Sequence, residues 1–119
     1  MTEGEMKQRT HRFALGVLSL AEALPKTRTG NAIAHQIVRS GTSVGANYRA
    51  LCRSKSRADF MNKASIIEEE ADETAFWLEM VRDSGLLSAE TIQPLLREAN
   101  ELVAMFVASR KTAATRRGG

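Results

Sequence analysis

Cysteine is almost absent from this sequence. Cys52 stands alone among 119 residues, so no internal disulfide can form, and no Cys/His spacing suggests zinc. A reducing compartment is the expected home. Proline is confined to Pro25 and Pro94 and glycine to eight positions, which leaves few points where a helix must break. No apolar run approaches the roughly 18 residues of a membrane span. The opening "MTEGEMKQRTHRF" also lacks the apolar stretch of a signal peptide. A cytoplasmic protein with no membrane partner is expected.

What is present is an ordinary globular composition, 43% hydrophobic and 26% charged. The length suits one domain able to bury a modest core. The net charge of +3 is unevenly laid out. Residues 1–53 carry eight Lys/Arg against three Asp/Glu, residues 54–87 four against eight, and residues 88–119 five against three. Basic ends and an acidic middle suit a polyanion partner, and equally suit helices or subunits that pair by charge.

The apolar spacing is helical throughout. Met6, Phe13, Val17, Leu20 and Leu24 mark a first helix over about 3–24, stopped by "PKTRTG". A second, about 30–52, has Ile33, Ile37, Ser40, Val44, Asn47 and Leu51 on one seam. Beside it runs a seam of mostly small residues: Ala34, Val38, Gly41, Gly45, Tyr48 and Cys52. Two adjacent seams predict neighbours on more than one side. Ser56 and Asp59 form a capping-box-like start for a third helix, which keeps a heptad spacing from Phe60 to Val81 and ends at Gly85. Ser88 precedes a fourth, about 89–109. Pro94 lies one turn inside it, so that either the helix begins near Gln93 or its first turn bends. "RKTAATRRGG" has no apolar face and is expected to be a disordered basic tail from residue 110. Four helices with short connections predict an all-α, up-down-up-down antiparallel bundle over residues 1–109.

Serine, threonine, asparagine and glycine are poor choices inside a helix, yet they crowd "RSGTSVGAN". With the hairpin corner near residue 55, position i of helix two faces about 111 − i of helix three. Asn47 then falls near Ala64, Ser43 near Glu68, Ser40 near Ala71, and Arg39 near Asp72 or Glu73. The expectation is an interhelix polar network in which Ser40, Ser43 and Asn47 bond Glu69, Glu70 or Glu73. Gly41 and Gly45 would permit close approach, and the small seam through Tyr48 would serve an oligomer interface. Trp77 follows Phe76, and two adjacent aromatics cannot share a narrow seam. Trp77 is the one expected at a subunit contact.

Catalytic readings fail on spacing. "RSGTSVGAN" has G-x-x-x-G but no phosphate-loop lysine. A dinuclear carboxylate centre needs Glu-x-x-His on two helices, and neither His11 nor His35 has a glutamate three residues before it. Glu70 and Glu73 are at most half such a site. Ser40, Ser43 and Cys52 lack a nearby base. No enzyme, metal or cofactor is expected.

"QIVRSGTSVGANYRA" and "RADFMNKASIIEEEADETAFWLEM", in that order and spacing, resemble the two signature segments of a family of small bacterial four-helix bundle proteins. Some of its members are encoded within intervening sequences of large-subunit ribosomal RNA genes. The resemblance spans about residues 8–108. It implies a bundle that assembles into a ring, a homopentamer in known examples, without established enzymatic activity. A more distant similarity is to the accessory proteins of diversity-generating retroelements, basic pentamers that engage a reverse transcriptase and nucleic acid. The polar signature positions carried over by the resemblance are Arg39, Ser40, Ser43, Asn47, Asp59, Lys63, Glu70, Glu73 and Trp77. Ala50, where relatives often have an acid, and Glu69, where they often have a base, depart from the pattern.

Two functions follow. The first is a ring-forming scaffold that contacts RNA or a ribonucleoprotein through basic surfaces. Arg49, Arg53, Lys55 and Arg57 would act at the hairpin corner, Arg110 and Lys111 in the tail, with Arg9, Arg12, Lys26, Arg28, Arg116 and Arg117 as further basic positions. Five copies would multiply +3 to about +15, enough to draw polyanions. The alternative is a protein-binding adaptor, for example of a reverse transcriptase, with no direct nucleic-acid role.

Overall fold

The computed structural model describes residues 1–115 and contains four helices: α1 (Glu3–Ala23), α2 (Arg28–Leu51), α3 (Arg57–Asp83) and α4 (Ala89–Thr115). Each start has a local cause. Thr2 caps α1 and closes a full capping box with Glu5. Thr27 accepts the Gly30 amide at the head of α2, and Ser56 and Ser88 accept the amides of Asp59 and Thr91. The Asp59 carboxylate reaches back to the amide of Lys55, one residue before the cap, so the box at α3 is offset from the pattern expected.

The ends are equally specified. Gly85 sits at φ 75° while the Leu86 amide returns to the Val81 carbonyl at 3.1 Å, the six-to-one bond of a Schellman ending. At the first connection, a Cβ on Gly30 would lie 2.0 Å from the Pro25 carbonyl oxygen. The loop folds onto the first turn of α2 at a place only glycine can occupy.

α1 packs on α2, α2 on α3 and α3 on α4, and α1 with α4 closes the ring of neighbours more sparsely. The core is aliphatic, with Val17, Ile37, Val44, Ile67, Leu78, Val81, Ile92 and Leu102 fully buried, and it is joined at one end by the edge-to-face pair Tyr48–Phe106. The two seams of α2 are thus faces toward α1 and α3.

Two expectations about α4 change. Its helix begins at Ala89 and runs through Pro94; the proline is exposed, so the carbonyl it cannot bond faces solvent. The helix also continues past residue 109 to Thr115, where a disordered tail was expected. Lysine, threonine and alanine contain no helix breaker, and Arg110 is anchored by Glu68 on α3. Residues 116–119, with Arg116 and Arg117, lie outside the described residues.

Candidate functional site

Because the helices alternate in direction, one end of the bundle gathers the start of α1, the α2–α3 corner and the end of α4. The half holding residues 1–12, 45–69 and 103–115 carries ten Lys/Arg against five Asp/Glu. The other described half, 13–44 and 70–102, carries five against nine. The sequential pattern of basic, acidic and basic segments becomes a molecule polarised along its long axis.

The predicted basic residues divide when placed. Arg49, Arg53, Lys55 and Arg57 are all exposed and make no ion pair among the described residues. Arg53 does donate to the Arg49 carbonyl at 3.2 Å. Lys111 is exposed too. Arg110 is not free: its Nε and Nη2 both donate to Glu68 Oε1, at 3.2 and 3.1 Å. Arg9 is engaged as well. It donates Nε and Nη2 to Glu98 at 2.6 and 2.7 Å and Nη2 to Glu101 at 2.9 Å, a fork on two carboxylates that ties α1 to α4 across their sparse contact. These bonds hold its guanidinium pKa above the usual arginine value. Both arginines serve the fold.

The polar network is smaller than expected and mostly lies within single helices. Ser43 Oγ donates to the Arg39 carbonyl at 2.7 Å, and Asn47 Nδ2 to the Ser43 carbonyl at 2.8 Å. Neither reaches a glutamate, because the carbonyl one turn back is nearer than anything on α3. Asp59 and Lys63 pair along α3, and that contact holds the Asp59 carboxyl below its usual pKa. Two contacts do cross. Thr74 Oγ1 lies 2.9 Å from Ser40 Oγ inside the core, with both residues fully buried. Arg39 donates Nη1 to Glu70 at 3.2 Å and Nη2 to Glu73, whose pKa that bond lowers.

The oligomer-interface positions also need correction. Gly41 and Tyr48 are buried inside this chain, Gly41 against Val17 and Tyr48 against Phe106. Burial, with a contact to Cys52 second, raises the Tyr48 phenol pKa. Gly45 is half-buried beside Thr10. Trp77 is half-buried and donates Nε1 to Glu73 at 3.3 Å. The aromatic left outside is Phe76, 49% exposed, with Met80 one turn on at 42%. Leu15, 52% exposed, and Leu18 form a second apolar patch on α1, diagonally across the bundle from α3. The signal was in the sequence: Trp77 stands three residues after Thr74 and four before Val81 on the heptad seam, whereas Phe76 falls on the opposite face of α3.

Among the described residues no group of three or more His, Cys, Asp or Glu is arranged to hold a metal ion, and no helix is long and apolar enough to cross a membrane. The class so defined is a small four-helix bundle with charge divided between its ends. Residues 2–108 match the family described as 23S rRNA-intervening sequence protein, and the chain belongs to that family. A solved structure from Bacteroides thetaiotaomicron, a protein of unknown function from the S23 ribosomal protein family, is similar at 32% identity and a TM-score of 0.82. The match covers 88% of this chain and 97% of that one. No curated protein matches the sequence.

Proposed function

We propose that this protein is a non-enzymatic, ring-forming bundle that engages RNA, alone or in a ribonucleoprotein, through its basic end. The observation that carries the reading is the separation of charge along the axis, with Arg49, Arg53, Lys55 and Arg57 gathered at one corner without acidic partners among the described residues. A protein that only needed solubility would gain nothing from collecting its unpaired cations at one end, whereas counterion release rewards it directly.

Ring formation is supported by two apolar patches on diagonal helices, Leu15 with Leu18 and Phe76 with Met80. A contact joining two unlike patches is head-to-tail, and such contacts close into rings when the rotation permits. A homopentamer would set five basic ends side by side. The same exposed Phe76 and Met80 favour a second reading, in which they receive a partner protein such as a nucleic-acid enzyme.

The test is binding of protein of measured oligomeric mass to a structured RNA and to single-stranded DNA across a salt series. The expected result is a steep linear fall of log K with log salt, with both slope and affinity reduced when Arg49, Arg53, Lys55 and Arg57 are replaced by alanine. Absence of binding at low salt sinks the RNA reading. Phe76→Ser is expected to break the assembly; an unchanged mass would turn that patch over to the adaptor reading.

A further inference from the structure

Near the basic end, α1 and α2 separate around a cleft of about 440 Å³, lined by Lys7, Thr10, His11, Ala14, Thr42, Gly45, Ala46 and Arg49. That volume falls in the range of ligand clefts, roughly 300–1,000 Å³. Its lining includes two cations and an imidazole and no carboxylate. Other clefts differ. The one between α3 and α4 mixes Arg82 and Arg97 with Glu79 and Glu101, and the one at the far end of the α1–α2 groove mixes Lys26 and Arg39 with Glu22.

Gly45 gives the second, independent observation. A glycine inside a helix is unfavourable and ordinarily repays that cost by admitting a neighbouring helix. Gly41 does so, since a Cβ there would lie 2.7 Å from both methyls of Val17. Gly45 does not. A Cβ there would meet Thr10 at 3.5 Å, an ordinary contact, so packing would accept alanine. Both Gly45 and Thr10 line the cleft, so a side chain longer than alanine at this position would enter it.

We propose that this cleft seats a backbone phosphate of the bound RNA. Lys7 and Arg49 supply the countercharge, His11 supplies a ring N–H donor, and Gly45 keeps the floor clear. The hydroxyls of Thr10 and Thr42 already donate to carbonyls of their own helices, at 3.0 and 2.7 Å, so recognition falls to the three side chains. Among the described residues Lys7 is held by a single exposed pair, with Glu3 at 3.3 Å, which a phosphate can displace. Arg49 adjoins Arg53 and the corner cations, making the cleft the inner end of the basic surface. The proposal rests on the reading of that surface as an RNA contact.

The experiment compares RNA affinity at fixed low salt for the full-length wild type, Gly45→Leu, Gly45→Ala and Arg97→Ala, with oligomeric mass and thermal unfolding measured on each. Leucine fills the cleft without altering charge, and Arg97→Ala removes one charge from the far half. Gly45→Leu should weaken RNA binding at least tenfold at unchanged mass, while Arg97→Ala stays within about twofold. Gly45→Ala should unfold at or above the wild-type temperature. If Gly45→Leu does not fold, Lys7→Gln with His11→Gln, which leaves the four corner cations in place, carries the same test. Wild-type affinity in the filled variant overturns the cleft while the basic-end reading stands; no RNA binding by wild type overturns both. A free phosphorylated ligand is separated by titrating inorganic phosphate while following the Gly45 amide by NMR. Micromolar saturation that RNA does not compete away reassigns the cleft to a small molecule and overturns the RNA assignment.

Discussion

Where α2 meets α1, the closest approach is steric: Gly41 lies against the branched carbon of Val17, and nothing larger than hydrogen fits between them. Where α2 meets α3, one turn of the same helix offers Ser40 to Thr74 and Arg39 to Glu70 and Glu73. The first face is held by shape, the second by hydrogen bonds and charge. Shape alone tolerates sliding along a groove, whereas a buried hydroxyl pair satisfies both partners in a single register. The difference divides labour on one helix, with closeness set on one side and alignment on the other.

The sharpest way to break that division is Gly41→Ala. Alanine improves helix propensity by about 1 kcal/mol, but its methyl would overlap both Val17 methyls, and a β-branched side chain in a helix leaves its preferred rotamer only at a cost. Net destabilisation of about 1–3 kcal/mol is expected from urea unfolding. Val17→Ala should relieve it, giving a coupling of at least about 1 kcal/mol in the double-mutant cycle. A Gly41→Ala protein as stable as wild type would remove steric closeness from the account.

On the other face, Ser40→Ala removes a buried acceptor and should cost about 1 kcal/mol. Thr74 keeps the Glu70 carbonyl at 2.8 Å as a partner, so its hydroxyl is not orphaned. Ser40→Ala with Thr74→Val should cost less than the two separately, because each single change already loses the one bond between the hydroxyls. Neither loss should respond to salt. Strict additivity in the cycle would mean that the hydroxyls do not act as a pair.

The same contrast explains what could be read from the sequence. Helix existence, the starts at Ser56 and Ser88, and the Gly85 stop are local chemistry, and the four-helix bundle follows from them together with the apolar spacing. Partner choice is not local. The register estimate placed Ser40 beside Ala71, three residues from Thr74, because helix spacing gives no account of how far the corner reaches. Helical facing points Ser43 and Asn47 at glutamates of α3, although the carbonyl one turn back on their own helix is the acceptor each finds. α4 runs past its expected end because the loss of an apolar face does not by itself end a helix, and Glu68 and Arg110 hold the extension without apolar burial. The basic end is legible only as separate charged segments, and nothing in the spacing joins Lys7 and His11, the latter considered only as a metal ligand, to Gly45 on another helix.

The smallest expected effect lies at Arg39, where the contact is most open to solvent. Its bond to Glu73 lowers that carboxyl below the usual value of 4.5. A carboxyl with a depressed folded pKa binds its proton less readily in the native state than in the unfolded chain. Its contribution to stability is therefore present above pH 4.5 and lost as pH falls through the lower folded value. Arg39→Ala should leave a slightly less stable protein at neutral pH and a shallower decline in stability below pH 4.5. Added salt should narrow the gap between variant and wild type, since the guanidinium is exposed and its attraction screened. That salt response separates the rim of the α2–α3 face from its buried hydroxyl pair. Equal salt sensitivity in Arg39→Ala and Ser40→Ala would show that the face acts as one electrostatic unit, and the contrast with Gly41 would then lie between charge and shape with no role for register.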